Sequence, residues 1–186
     1  MYSNDKIKTL RDSFCEFIFD TGEILRLEEQ SEVSLKANRQ ISIFVSIGKS
    51  LMNIDFKTAN KKFNVYTPTS ILGIRGTEFV VEVIDKSVTE VAVFSGKVSV
   101  KSSDTKEEVL VPAKKQTFVE KNKPPVEPFA LTEKVIKYYE TQVLAFQKRA
   151  EEIRKKLDEY IEKRNKMIDE WYKNREKKID DWYEQR

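Results

Sequence analysis

The chain has no histidine and one cysteine, Cys15. A zinc site of the ordinary Cys/His kind is therefore excluded, as is any disulfide within the chain. General acid–base catalysis near neutral pH loses its usual carrier and would need carboxylates or lysines with strongly displaced pKa values. No Ser-Lys or cysteine-based nucleophile arrangement takes its place, so the expectation is a protein that is not an enzyme, with no cofactor and no metal. Cys15 alternates with Phe17 and Phe19 and reads as a small buried hydrophobe. No apolar run approaches the ~18 to 20 residues that crossing a bilayer requires. Met1–Lys8 is polar, unlike a signal peptide. Only five glycines occur, and Gly73-Ile74-Arg75-Gly76 lacks the lysine and following helix of a phosphate-binding loop. Lys and Arg number 34 against 31 Asp and Glu, a net charge of +3, which argues against a dedicated nucleic-acid surface.

What is present divides into two compositions. Up to about Phe118, short β-type runs recur every ~8 to 12 residues: 16–19, 24–27, 33–35, 41–47, 62–66, 78–84, 90–94 and 97–101. Gly, Asn, Asp, Ser or Pro separates them. Such spacing predicts a sandwich, a barrel or a β-coil stack rather than a parallel α/β sheet. Ile41, Ile43, Val45 and Ile47 share one face of the most apolar run, which is expected to be central.

The most informative segment is Thr67–Val83. Gly73 and Gly76 bracket Arg75, and an alternating run follows in which Phe79, Val81 and Val83 point one way and Glu78, Val80 and Glu82 the other. The glycines predict a bend that needs positive φ or close backbone approach. Arg75, Thr77 and Glu78 admit two readings. They form a small ligand-recognition site, or Arg75 satisfies carbonyls at the bend while Glu78 holds its guanidinium by charge-assisted bonds. The second is the better supported.

The string Pro-Thr-x-x-x-Gly-x-Arg-Gly-Thr-Glu-Phe, here Pro68 to Phe79, resembles the FecR domain, the extracytoplasmic module of ferric-citrate-type transmembrane signalling regulators. Thr89–Val100, with Gly96 at its turn, resembles that family's next hairpin. Val109–Gln116 resembles the closing strand, with Lys114 where the family usually has glycine. Upstream, Asp5–Thr9, Asp12–Phe17 and Asp20–Leu27 resemble the opening strands, Leu10 standing where a glycine is usual. The resemblance covers about residues 5–130. It implies an all-β domain that regulates through protein contacts outside the cytoplasm, in a family that passes a signal from an outer-membrane receptor to a membrane-bound partner. Because the family has one or more strands before the segment matched by Asp5–Thr9, an N-terminal piece carrying an export signal is expected to be missing. The competing expectation is a domain adapted to the cytoplasm.

Asn122–Pro128 holds three prolines in five residues, a stiff extended segment without sheet donors. The expected organisation is a β domain over 1–121, a hinge over 122–130 and a helix over 131–186. From Leu131 onward there is neither glycine nor proline, and half the residues are charged. Acid-first i,i+4 pairs such as Glu162–Lys166 support a continuous helix about 84 Å long at 1.5 Å per residue.

The helix carries an internal repeat of eleven residues. Leu157-Asp158-Glu159-Tyr160-Ile161, Ile168-Asp169-Glu170-Trp171-Tyr172 and Ile179-Asp180-Asp181-Trp182-Tyr183 are successive copies, each reaching an arginine at the same place: Arg164, Arg175 and Arg186. Eleven residues in three turns give a stripe that runs nearly straight. Upstream, Tyr139, Val143, Phe146, Ala150, Ile153 and Leu157 follow heptad-like spacing. The stripe is a packing seam, in a coiled-coil oligomer or folded on the β domain, or a docking strip for another protein. The packing seam is the better supported; paired Trp and Tyr, with Arg175 able to lie over Trp171, speak for the docking strip, and a glycan surface is the remaining alternative beside a membrane. A membrane surface fits poorly, since the polar face mixes both signs. Two functions follow: a regulatory interaction module of the cell envelope, whose helix serves oligomerisation or partner docking, or a structural envelope protein with a coiled-coil rod and a β domain that binds wall or surface components.

Overall fold

A computed structural model describes residues 5–19, 22–37, 41–54, 63–74 and 76–184, and of Ala37, Tyr183 and Glu184 the backbone alone. Among the described residues thirteen strands form one sheet: β1 Asp5–Lys8, β2 Cys15–Ile18, β3 Ile24–Leu27, β4 Glu32–Ala37, β5 Ile41–Ile54, β6 Phe63–Tyr66, β7 Ser70–Ile74, β8 Thr77–Asp85, β9 Val88–Ser95, β10 Lys97–Ser102, β11 Glu108–Pro112, β12 Lys115–Glu120 and β13 Phe129–Ala130. Helix α1 covers Glu133–Tyr138, a π-helical stretch Tyr139–Val143, and α2 Leu144–Glu184. The protein is mainly β with one long C-terminal helical run. It divides into two compact units, Met1–Val143 and Leu144–Arg186.

β5 organises the first unit. Its first half pairs with β4 and, in parallel, with β6, whereas residues 48–54 pair with β3 and β8. The strand thereby belongs to two half-sheets. Half A contains β1, β4, β6, β7, β10 and β11, and half B contains β2, β3, β8, β9, β12 and β13. The inward positions of both halves make one core, with Val33, Ile43, Val65, Leu72 and Val98 from A and Leu25, Met52, Phe79, Val81 and Val91 from B. The alternation expected of Phe79, Val81 and Val83 is realised, and all three are in that core.

The change of half-sheet inside β5 occurs at Gly48, with φ +86°. A Cβ there would stand 2.6 Å from the Ser31 Cα, where the chain between β3 and β4 crosses in the opposite sense. Ser31 Oγ accepts from the Lys49 N–H at 2.9 Å, tying the two crossings together.

The other corner pairs are built alike. β7 (half A) leads to β8 (half B) through Gly76, at φ +61°, and β9 (half B) to β10 (half A) through Gly96, at φ +79°. β9 pairs with β8 and β12, and β10 with β7 and β11, so Gly96 is a corner between half-sheets and not the hairpin turn that the sequence suggests. At the step from β11 to β12, Lys114 adopts φ +64° and its N–H donates to the Val93 carbonyl at 2.8 Å. A left-handed conformation costs a non-glycine residue about 1–2 kcal/mol. Lys114→Gly is therefore expected to raise the melting temperature of the β unit by a few degrees, which differential scanning fluorimetry reads directly; an unchanged or lower value counts against strain at this turn.

Residues 122–130 run along half B. The Val126 N–H donates to the Phe118 carbonyl at 2.9 Å, Phe129 stacks on Phe118 with ring centroids 5.5 Å apart, and β13 closes on β12.

Candidate functional site

The motif residues are brought together at the corners between the half-sheets. Thr77, Glu78 and Phe79 are buried, while Gly73 and Gly76 are exposed. A Cβ on Gly96 would lie 2.3 Å from the Gly76 carbonyl oxygen and 2.7 Å from Thr77 Cγ2, so the two glycine corners touch. Arg75 lies outside the described residues. Glu78 accepts a hydrogen bond from Asn53 Nδ2 at 3.1 Å. The Pro-Thr start of the motif builds a buried hydroxyl cluster: Thr69 Oγ1 lies 2.7 Å from Thr89 Oγ1 and 3.0 Å from the Val119 carbonyl oxygen, and Thr67 Oγ1 accepts from the Ser70 N–H at 2.9 Å. These bonds link the β6–β7 turn of half A to β9 and β12 of half B.

A second polar cluster, unforeseen in the sequence, lies on the outer face of half B. Its centre is Arg26 on β3. The guanidinium donates from Nε to Glu28 Oε1 at 2.9 Å, from Nη1 to Glu16 Oε1 at 3.1 Å and from Nη2 to Gln142 Oε1 at 3.4 Å, and it covers the Phe14 ring at 4.3 Å from the centroid. Burial works against its charge, but the Glu28 and Glu16 carboxylates more than offset this and hold its pKa above the ordinary arginine value. Tyr138 donates its O–H to Glu28 Oε1 at 2.6 Å. Burial first, then the Glu28 carboxylate, raise that phenol's pKa well above its usual value, so it stays a neutral donor.

Neighbouring contacts continue the same anchor. Lys49 Nζ is 2.9 Å from Glu82 Oε2 and 4.7 Å from the Tyr138 ring centroid, and Lys134 Nζ reaches the same Glu82 oxygen at 3.3 Å. Gln116 donates from Nε2 to Glu90 Oε1 at 2.9 Å and accepts from the Thr132 N–H at 2.8 Å. Burial and the nearby Glu82 raise the pKa of Glu90, with Lys134 and Lys49 opposing. Tyr139 packs on Phe94 with ring centroids 4.9 Å apart. The sequence pattern assigned one buried face to β8. In the fold the outward Val80 is buried as well, because residues 132–143 cover this side of half B. A groove of about 510 Å³ runs beside the cluster between Glu28, Lys49, Glu82, Ile84 and Tyr138. Another of equal volume opens on the outer face of half A between Lys6, Ser34, Lys36, Phe44 and Tyr66. Among the described residues no group of three or more His, Cys, Asp or Glu is placed to hold a metal ion.

The partner-binding residues predicted on the helix all lie in the second unit. Tyr160 is 64% exposed, Trp171 and Tyr172 each 55%, and Trp182 50%. Ile168 and Ile179 are also exposed, as are Arg164 and Arg175. Of Tyr183 only the helical backbone is described. Arg175 sits 5.3 Å from the Trp171 ring centroid, as its spacing suggests, and Trp171 meets Tyr172 edge-on at 5.0 Å. The predicted Glu162–Lys166 pair closes at 2.9 Å. Large apolar side chains this exposed, repeated along one helix, are the kind of surface that marks an interaction site. No helix among the described residues is long and apolar enough to cross a membrane.

Comparison with known proteins gives one family and one fold. The family model described as FecR protein matches residues 5–99. Two crystal structures of a "putative anti-sigma factor" from Parabacteroides distasonis ATCC 8503 superpose with a TM-score of 0.61 at 14% identity, over 74% of this chain and 65% of that one. The chain thus spans just under two thirds of that protein's length, and at this identity the likeness is one of fold. No curated protein matches.

Proposed function

We propose, from the premise that this chain belongs to the FecR protein family, that it is a non-enzymatic regulatory module of the cell envelope that acts through protein contacts made by its C-terminal helix. The family supports a regulatory signalling role, and its usual place in envelope-spanning regulators supports a site of action outside the cytoplasm. The observation that carries the helix assignment is the exposed strip of Ile168, Trp171, Tyr172, Ile179 and Trp182, repeated every eleven residues in a unit distinct from the β core. Trp, Tyr and Arg are the side chains that most often dominate binding energy at protein interfaces. The glycine corners and the hydroxyl cluster of the Thr67–Phe79 motif serve, in this reading, to hold the two half-sheets together.

The test is the size of the native complex. In its own host, the tagged chain is expected to elute well above its 21.8 kDa mass. Trp171→Ala with Trp182→Ala should reduce that size while the β unit melts at an unchanged temperature. Elution at monomer size by the unaltered chain would remove the basis for the reading. A matching loss of β-unit stability would show that the strip packs within its own chain.

A further inference from the structure

Resting on the reading of the helix as a protein-contact strip, we propose that its occupant is a second copy of this chain, the two helices running parallel and in register over residues 157–184. Three turns per eleven residues advance each position by about 98° around the axis. On that wheel Leu157, Ile168 and Ile179 form the centre line. Ile161 and Tyr172 lie to one side of it, and Arg164 and Arg175 to the other, next to Tyr160, Trp171 and Trp182. The margins beyond differ in sign. Asp158, Asp169 and Asp180, with Glu162 and Glu176, follow the isoleucine–tyrosine side, Lys173 being the exception. Lys163 and Lys178 follow the arginine side.

One acidic and one basic margin decide the orientation. In a parallel pair, a two-fold axis along the helices sets each helix's acidic margin against its partner's basic margin. In an antiparallel pair the axis is perpendicular, so acid meets acid and base meets base. Interhelical ion pairs of a parallel pair join a residue to one five positions further along the partner. Five beyond Arg164 is the partner's Asp169, and five beyond Arg175 is the partner's Asp180. The complement therefore recurs with the same eleven-residue period as the strip, and the chain supplies both halves of it. Stacking of Arg175 on Trp171 is compatible with this, since a guanidinium that lies on a ring face keeps its N–H edges for a carboxylate. Residues 158–182 are exposed throughout apart from the half-buried Ile161, so none of these groups must leave a packed position to pair.

The experiment uses the full chain. Light scattering of the purified protein is expected to give twice 21.8 kDa. Arg175→Glu should raise the dissociation constant about tenfold or more by placing like charges together. Adding Asp180→Arg should restore tight pairing, a rescue that residues five apart on one helix cannot produce between themselves. In a Cys15→Ala background, oxidation should cross-link Ile168→Cys to itself and Ile179→Cys to itself. An antiparallel pair, which would overturn the orientation, cannot join both positions to themselves and would instead join centre-line positions of different number, such as Ile168→Cys to Ile179→Cys. Because the charge exchange keeps Cys15, it stands even where the cysteine variants fold poorly. A purified monomer, or a double variant that stays dissociated, overturns the second copy. If the tryptophan variants nevertheless shrink the complex in the host, the contact strip stands with another protein on it; if they do not, both readings fall.

Discussion

Gly96→Val is expected to abolish the cooperative melting of the β unit, whereas Gly22→Ala should lower its midpoint by only a few degrees. Both glycines have positive φ, +79° and +92°, so both substitutions incur the left-handed penalty of about 1–2 kcal/mol. They differ in surroundings. Nothing lies within 4 Å of a Cβ built on Gly22, while one on Gly96 meets the Gly76 carbonyl oxygen at 2.3 Å and Thr77 Cγ2 at 2.7 Å. The obstructing oxygen belongs to the backbone of another corner at φ +61°, which has no rotamer through which to yield. Overpacking normally costs about 1–3 kcal/mol where neighbours can shift. Here the neighbours are the two crossings that keep half A and half B together, and valine adds two methyl groups beyond the Cβ. A cost above about 4 kcal/mol is a large part of the roughly 5–15 kcal/mol by which domains are stable. Circular dichroism melts of the two variants decide it. If Gly96→Val melts within a few degrees of Gly22→Ala, the corner is not closed as described.

The same contrast explains what was legible in the sequence. Local periodicity was readable: the alternation through Phe79, Val81 and Val83 identified β8 and its core face, and the eleven-residue repeat identified α2 and its strip. The central place of Ile41–Ile47 was readable too, because a strand buried on its inner face by apolar residues at every second position has few other places to go. What the pattern could not carry was the partner of each glycine. Gly48 interrupts no pattern, so β5 reads as a strand ending near Ile47 although it continues through the corner to Ile54. Its necessity comes from Ser31, on another crossing. Gly96 reads as a hairpin turn because consecutive strands usually pair, and only the pairing of β9 with β12 and β10 with β11 shows otherwise. Lys114 held the expected glycine-type turn with the wrong residue for it. The outer face of half B was hidden for a similar reason. Val80 and Ala92 look like strays on solvated strands until Val135 and Tyr138 lie beside them. Arg26 and Glu28 meet Gln142 and Tyr138 across sequence separations of 116 and 110 residues, where no periodicity connects them.

That last cluster is the second place where one side chain should have a large effect. Arg26→Leu removes the cation that pairs with both Glu16 and Glu28, whose side chains are 15% and 18% exposed. Both carboxylates then lose that partner where little water reaches them, and breaking such a pair from one side typically costs about 3–5 kcal/mol. At 2–4 °C per kcal/mol for a protein of this size, the midpoint should fall by about 10 °C. The loss should also be felt locally. Glu28 is the acceptor for Tyr138 and Arg26 the donor to Gln142, so amides of residues 133–143 should exchange hydrogen faster in Arg26→Leu than the inner strands do. Charge and shape can be told apart by two further variants. Arg26→Lys keeps the cation but not the planar fork that serves Glu28, Glu16 and Gln142 together, and should recover only part of the loss. Arg26→Leu combined with Glu16→Gln and Glu28→Gln removes the stranded charges, and should recover most of it, because neutral amides can still accept from Tyr138 and from each other. If the triple variant melts as low as Arg26→Leu alone, the destabilisation comes from lost packing over Phe14 rather than from uncompensated carboxylates, and the start of the helix is held by its apolar contacts with half B.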